Sequence, residues 1–126
     1  MKEEDREIWV GENRFYLVED DIMYVETSGN YDLKGSFELR DAFLKLLHDV
    51  EGKVNIIVDN SRGGKPSQEA RKVFAVMMED ERCGKIAVVG LNPVARVIAS
   101  FVLGSSKNKN TKIFKTKEEA LAWVKE

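Results

Sequence analysis

The chain has 126 residues, of which 43% are hydrophobic and 33% charged, with a formal net charge of −2. These values suit one folded domain and exclude a disordered or fibrous chain. With Cys83 and His48 the only residues of their kinds, an internal disulfide and a zinc site of cysteine and histidine are excluded too.

Taken in chain order, residues 1–13 read as an N-terminal tail, charged at its start, in which Ile8-Trp9-Val10 fits a short extra strand. Residues 14–126 read as one domain. Arg14–Glu19 is aromatic and β-branched and reads as a strand. Asp20-Asp21 supplies a turn, and Ile22–Thr27 reads as the returning strand of a hairpin. The period then changes. Leu39, Ala42, Phe43, Leu46, Leu47 and Val50 fall at helical spacing, which predicts a helix over 36–50 with Ser36 as its cap. Glu51-Gly52 closes it. Lys53–Val58 reads as a buried strand, and residues 59–67, rich in glycine and polar side chains, as a loop. A second helix carries Ala70, Val73, Phe74, Met77 and Met78 on one face and closes at Gly84. Lys85–Gly90 reads as another buried strand.

Asn92-Pro93 marks the start of a third helix, running to Leu103 and apolar on most sides, which predicts burial. Thr111–Thr116 reads as a strand flanked by lysines. Thr116 and Glu119 have capping-box spacing for a last helix over 117–125, with Ala120, Leu121 and Val124 inward. The order is therefore β-β-α-β-α-β-α-β-α. Strands alternating with helices imply an α/β mixed sheet with right-handed crossovers. One strong apolar stripe per helix places the helices mainly on one face of that sheet.

Charge is unevenly spread. Residues 1–36 carry four basic and ten acidic side chains, whereas 105–117 carry Lys107, Lys109, Lys112, Lys115 and Lys117 with no acid. The lysines suit protection of an edge strand. Phe114 alone among them is aromatic, which is poor equipment for stacking bases, so nucleic acid is not an expected partner. The apolar stretch 94–103 is interrupted by Arg96 and is too short to cross a bilayer, so no membrane insertion is expected. The charged start shows no secretory pattern, and a lone thiol suits a reducing compartment, which together predict a cytoplasmic protein.

No nucleophile in the sequence comes with a recognisable base and orienting group, so no enzyme, cofactor or metal is expected. Gly63-Gly64-Lys65 lacks the spacing of a phosphate-binding loop, and Pro66 removes an N–H from any such cradle. Asp20 and Asp21 are accounted for by the turn. Asp59, at a strand end, is placed to bind N–H groups of the following segment. Met77 and Met78 read as core filling, and His48, off the apolar stripe, as solvated. Trp9 fits either a cover on the core or a homodimer contact.

The opening hairpin, the buried strand ending in Val58-Asp59, the helix starting near Ser67, and the later strand–helix pairs together resemble the STAS domain of bacterial anti-sigma-factor antagonists. The likeness covers residues 14–125. It is more similar to the divergent SpoIIAA-like, or STAS/SEC14-like, branch of small prokaryotic proteins. The resemblance implies a SpoIIAA/STAS-like fold and a non-enzymatic role in binding another protein. In anti-sigma antagonists the loop before the second helix carries Asp-Ser-x-Gly, whose serine is phosphorylated by a partner kinase. The matching stretch here is Lys65-Pro66-Ser67-Gln68-Glu69, with Pro66 in place of the aspartate and Glu69 in place of the glycine. Ser67 is placed to cap the helix, to receive a phosphate there, or both, with Arg62, Lys65 and Arg71 nearby. Ser61 is the second candidate. The expected partner-binding or phosphoswitch set is thus Asp59, Ser61, Arg62, Lys65, Ser67, Gln68, Arg71 and Lys72. By analogy with the larger SEC14 fold, the alternative is a module for a small molecule or lipid.

Overall fold

The computed structural model describes residues 6–19, 21–29, 33–63, 68–77, 79–97 and 110–126. Six strands form one sheet, ordered as they occur in the chain: β1 (Glu7–Val10), β2 (Asn13–Val18), β3 (Ile22–Gly29), β4 (Val54–Gly63), β5 (Cys83–Val89) and β6 (Thr111–Ile113). The β1–β2 and β2–β3 pairs are antiparallel, and the pairs from β3 through β6 are parallel. The sheet is therefore mixed, with β3 as the strand where the two pairing modes meet. Helix α1 (Leu33–His48) links β3 to β4, and α2 (Gln68–Met77) links β4 to β5. Residues 93–97 are helical and are called α3; α4 (Lys117–Val124) follows β6.

Alternation along the strands sorts side chains onto two faces. On one face Phe15, Leu17, Met23, Val25, Val54, Ile56 and Ile86 pack against the α1 stripe of Leu39, Ala42, Phe43, Leu46 and Leu47, joined by Met77 of α2. On the other, Ile22, Tyr24, Ile57, Ala87 and Val89 lie under Ala120 and Val124 of α4. Helices α1 and α2 thus share the larger core, and α4 covers part of the opposite face. Removing these apolar surfaces from water, at ~25 cal/mol per Å², is the main stabilising term.

The ends of several elements depart from the sequence reading. Helix α1 begins at Leu33, not Ser36. Ser36 is fully buried inside the helix, and its hydroxyl donates to the Leu33 carbonyl at 2.6 Å, so it bonds back to its own turn rather than capping it. Gly84 belongs to β5 and does not close α2, which ends at Met77. A Cβ at Gly84 would collide with the Asn55 side chain, so glycine there makes room for a neighbouring strand.

In α3 the Asn92 side chain accepts from the Ala95 N–H at 2.8 Å, as a cap should. Its described residues are less buried than expected, however. Val94 is 71% exposed and Val97 58%. Ile8-Trp9-Val10 is part of strand β1, with Trp9 facing solvent. Met77 is core, while Met78 lies outside the described residues.

Helix α4 carries the predicted cap. The Glu119 N–H donates to Thr116 Oγ1 at 3.1 Å, and the same hydroxyl donates to the Glu119 carboxylate at 3.3 Å. Its far end is clamped by side chains of the sheet. Asn55 Nδ2 donates to the Val124 carbonyl at 3.0 Å, and Asn55 Oδ1 accepts the Lys85 N–H at 2.9 Å. Lys85 Nζ donates to the carbonyls of Trp123, at 3.0 Å, and Glu126, at 3.2 Å. A cation on the last carbonyls of a helix is favoured by its dipole.

Candidate functional site

In parallel α/β sheets, working groups gather where strands end and helices begin. Here that edge is built from the end of β4, the residue after β5, and the starts of α2 and α4. Residues 59–63, read from composition as loop, continue β4. They do so because β3 extends to Gly29 and pairs with them: Glu26 stands opposite Asp59, Ser28 opposite Arg62 and Gly29 opposite Gly63. Two steps along β3 match three along β4, so β4 bulges at Asn60-Ser61. A bulge re-aims the side chains it carries.

Asp59 organises the bulge. Its Oδ1 accepts the Ser61 N–H at 2.9 Å and the Ser61 hydroxyl at 2.6 Å. Its Oδ2 lies 3.6 Å from Lys117 Nζ, at the first residue of α4. Burial alone would raise the Asp59 pKa; the Ser61 bonds and Lys117 outweigh it and hold the carboxyl below its ordinary value. Lys117 Nζ also stands 5.2 Å from the centre of the Tyr24 ring. From β3, Thr27 donates its hydroxyl to Asn60 Oδ1 at 2.6 Å. Gly90 closes the group from β5, with its backbone pressed against Ser61.

Of the expected site residues, Asp59, Ser61 and Arg62 come together on this bulge. Ser61 and Arg62 are exposed, and Arg62 Nη2 lies 3.8 Å from Glu26. Lys72 is exposed on α2. Gln68 and Arg71 lie in the first turns of α2, and their side chains are outside the described set. Lys65 and Ser67 lie outside the described residues. The sequence reading missed Lys117, Thr27 and Glu26 as members of this group. They are distant in the chain, and only strand register and the return of α4 bring them in.

A second polar cluster lies on the α4 side of β1, β2 and β3. The Arg14 guanidinium stacks 3.9 Å from the centre of the Tyr16 ring, and its Nε donates to Glu7 at 2.8 Å. Trp9 Nε1 donates to the same carboxylate at 2.7 Å, and these bonds lower the Glu7 pKa. Tyr16 stacks on Tyr24 at 5.3 Å and donates its hydroxyl to Glu26 at 2.9 Å. Burial and that carboxylate raise the Tyr16 pKa. The cluster satisfies its own charges and reads as a sheet-surface network. His48 is exposed, 3.7 Å from Asp80. No group of three or more metal-ligating side chains occurs among the described residues, and no described helix is long and apolar enough to cross a membrane.

A family model described as "Domain of unknown function (DUF7793)" matches residues 16–126. No curated protein matches the sequence. Among solved structures, the anti-sigma factor antagonist SpoIIAA in its unphosphorylated form superposes with a TM-score of 0.64 at 16% identity, over 90% of this chain and 97% of that one. The Bacillus cell fate determinant SpoIIAA in the phosphorylated form gives 0.63 at 16% identity, over 89% and 98%. A Shewanella loihica protein of the DUF3478 family, described as having a SpoIIAA-like fold, gives 0.69 at 13% identity, over 89% and 91%. The fold is thus SpoIIAA-like, as the sequence resemblance implied.

Proposed function

The chain belongs to the DUF7793 family, and from that premise we propose that it is a non-enzymatic, cytoplasmic regulatory domain that works by binding another protein. The binding surface is the carboxyl edge of β4 with the exposed side of α2: Asp59, Ser61, Arg62, Lys65, Ser67, Gln68, Arg71 and Lys72. The observation that carries this reading is the Asp59–Ser61 bulge. It holds an exposed serine in a fixed position on a SpoIIAA-like fold whose solved relatives include phosphorylated and unphosphorylated forms. A phosphate on Ser61 would stand next to Arg62 in the chain and on the carboxylate that also meets Lys117, and on either serine it would change the charge that a partner meets.

The test is copurification from the source cell with the wild-type chain and with a variant carrying Arg62→Glu and Lys72→Glu. The expected result is a stoichiometric protein partner that the variant loses. A partner retained in full by the variant, or no partner with either chain, overturns the proposal. Light scattering on the purified chain tests whether it also forms a homodimer.

A further inference from the structure

We infer that Asp59 couples the state of residue 61 to the docking of helix α4; this rests on the reading of the β4 edge as the regulated surface. One carboxylate serves two masters here. Oδ1 is committed to the backbone and hydroxyl of Ser61, and Oδ2 to Lys117. Lys117 is the first residue of α4, so the contact ties the helix's opening turn to the sheet. The far end of α4 is held separately, by Asn55, by Lys85, and by Lys125 with Glu19 at 2.9 Å. The two ends can therefore loosen independently.

A neutral serine donates its proton to Asp59. An anionic group at the same position has no proton to donate, repels the carboxylate, and competes with it for Lys117. The Asp59–Lys117 contact then gives way at one end or the other. An eight-residue helix has little stability of its own. Its first turn depends on such contacts and on Ala120, which is seated in the core beside Tyr24 and Ile57. A charge change at the exposed end of β4 is thereby felt along the same face of the sheet, where α4 meets Tyr24, Ile57 and Val89.

Hydrogen exchange on the full-length chain tests the coupling without any partner, using Ser61→Glu as the probe. The reporters are the amides of Glu119 and Ala120, which donate to the Thr116 hydroxyl and carbonyl. Ser61→Glu is expected to speed their exchange about threefold, the size set by a half-exposed ion pair, while the Lys125 amide at the far end keeps its rate. In an Asp59→Asn background the same substitution is expected to add nothing further. Unchanged reporter rates, or equal acceleration with and without Asp59, overturn the inference. Should Ser61→Glu fail to fold, Lys117→Met breaks the same contact from the helix side: the Glu119 and Ala120 amides must exchange faster while Lys125 keeps its rate, and unchanged rates are equally fatal. Loss of this coupling would leave partner capture intact, and loss of capture would leave these rates as they are, so the two failures are distinguishable.

Discussion

Gly90 lies so close to Ser61 that a Cβ built on the glycine would sit 2.9 Å from the Ser61 Cα. Gly90 also has a φ of +83°, in the left-handed region that side chains disfavour. The two constraints add. Gly90→Ala is expected to lower unfolding stability by about 2–4 kcal/mol, read from urea denaturation, and to displace the Asp59–Ser61 bulge. A loss within 0.5 kcal/mol would mean that the close approach relaxes at little cost.

Asp59 has a folded pKa below its ordinary value, so its contacts stabilise the fold when the carboxyl is ionised in both states. That contribution is complete above the unfolded value of 3.8 and disappears as pH falls through the lower folded value. Wild type and Asp59→Asn should therefore differ in Tm by a constant amount from about pH 5 upward and converge below about pH 4. Curves that stay parallel to the lowest pH would show that this carboxyl does not carry the acid dependence.

Cys83 is buried, and burial, followed by Asp80, pushes its thiol pKa up to about 11. Little thiolate exists near neutral pH, and the sulfur is shielded as well. Labelling with a chromogenic disulfide at pH 8 should be slow in the native chain and fast in denaturant. Rapid labelling of the native chain would contradict the burial of this strand.

Asn55 bridges two elements, giving its amide to the Val124 carbonyl and taking the Lys85 N–H. Asn55→Ala removes both bonds and strands two backbone groups, one on α4 and one on β5. A loss of about 1–2 kcal/mol is expected, with faster exchange at the C-terminal end of α4. Asn55→Asp should recover the Lys85 bond alone.

Much of this architecture was readable from side-chain periodicity. The hairpin declared itself through alternation from Arg14 to Thr27, α1 through Leu39, Phe43, Leu46 and Leu47, and α4 through the Thr116–Glu119 cap. What periodicity misplaced were boundaries decided by a distant partner. Asp59–Gly63 has loop composition but runs as strand because β3 offers it backbone groups. Ser36 resembles a cap but is an interior residue, since Leu33 already continues the helix. The candidate site was legible only in its local half. Asp59, Ser61 and Arg62 are neighbours in sequence, and Gly90 was placed on the same edge by strand order, whereas Lys117, Thr27 and Glu26 reach them only through strand register and the return of α4.

The change of pairing mode at β3 carries a kinetic consequence. Strands β1, β2 and β3 close through tight turns, so their contacts span few residues and cost little loop entropy. The parallel half must bring distant segments together across whole helices, which is slower. The hairpin side is thus expected to form ahead of the rest and to serve as a template on which β4 is laid. Mutations in the Val18–Ile22 region should retard refolding, while those in β6 should mainly hasten unfolding.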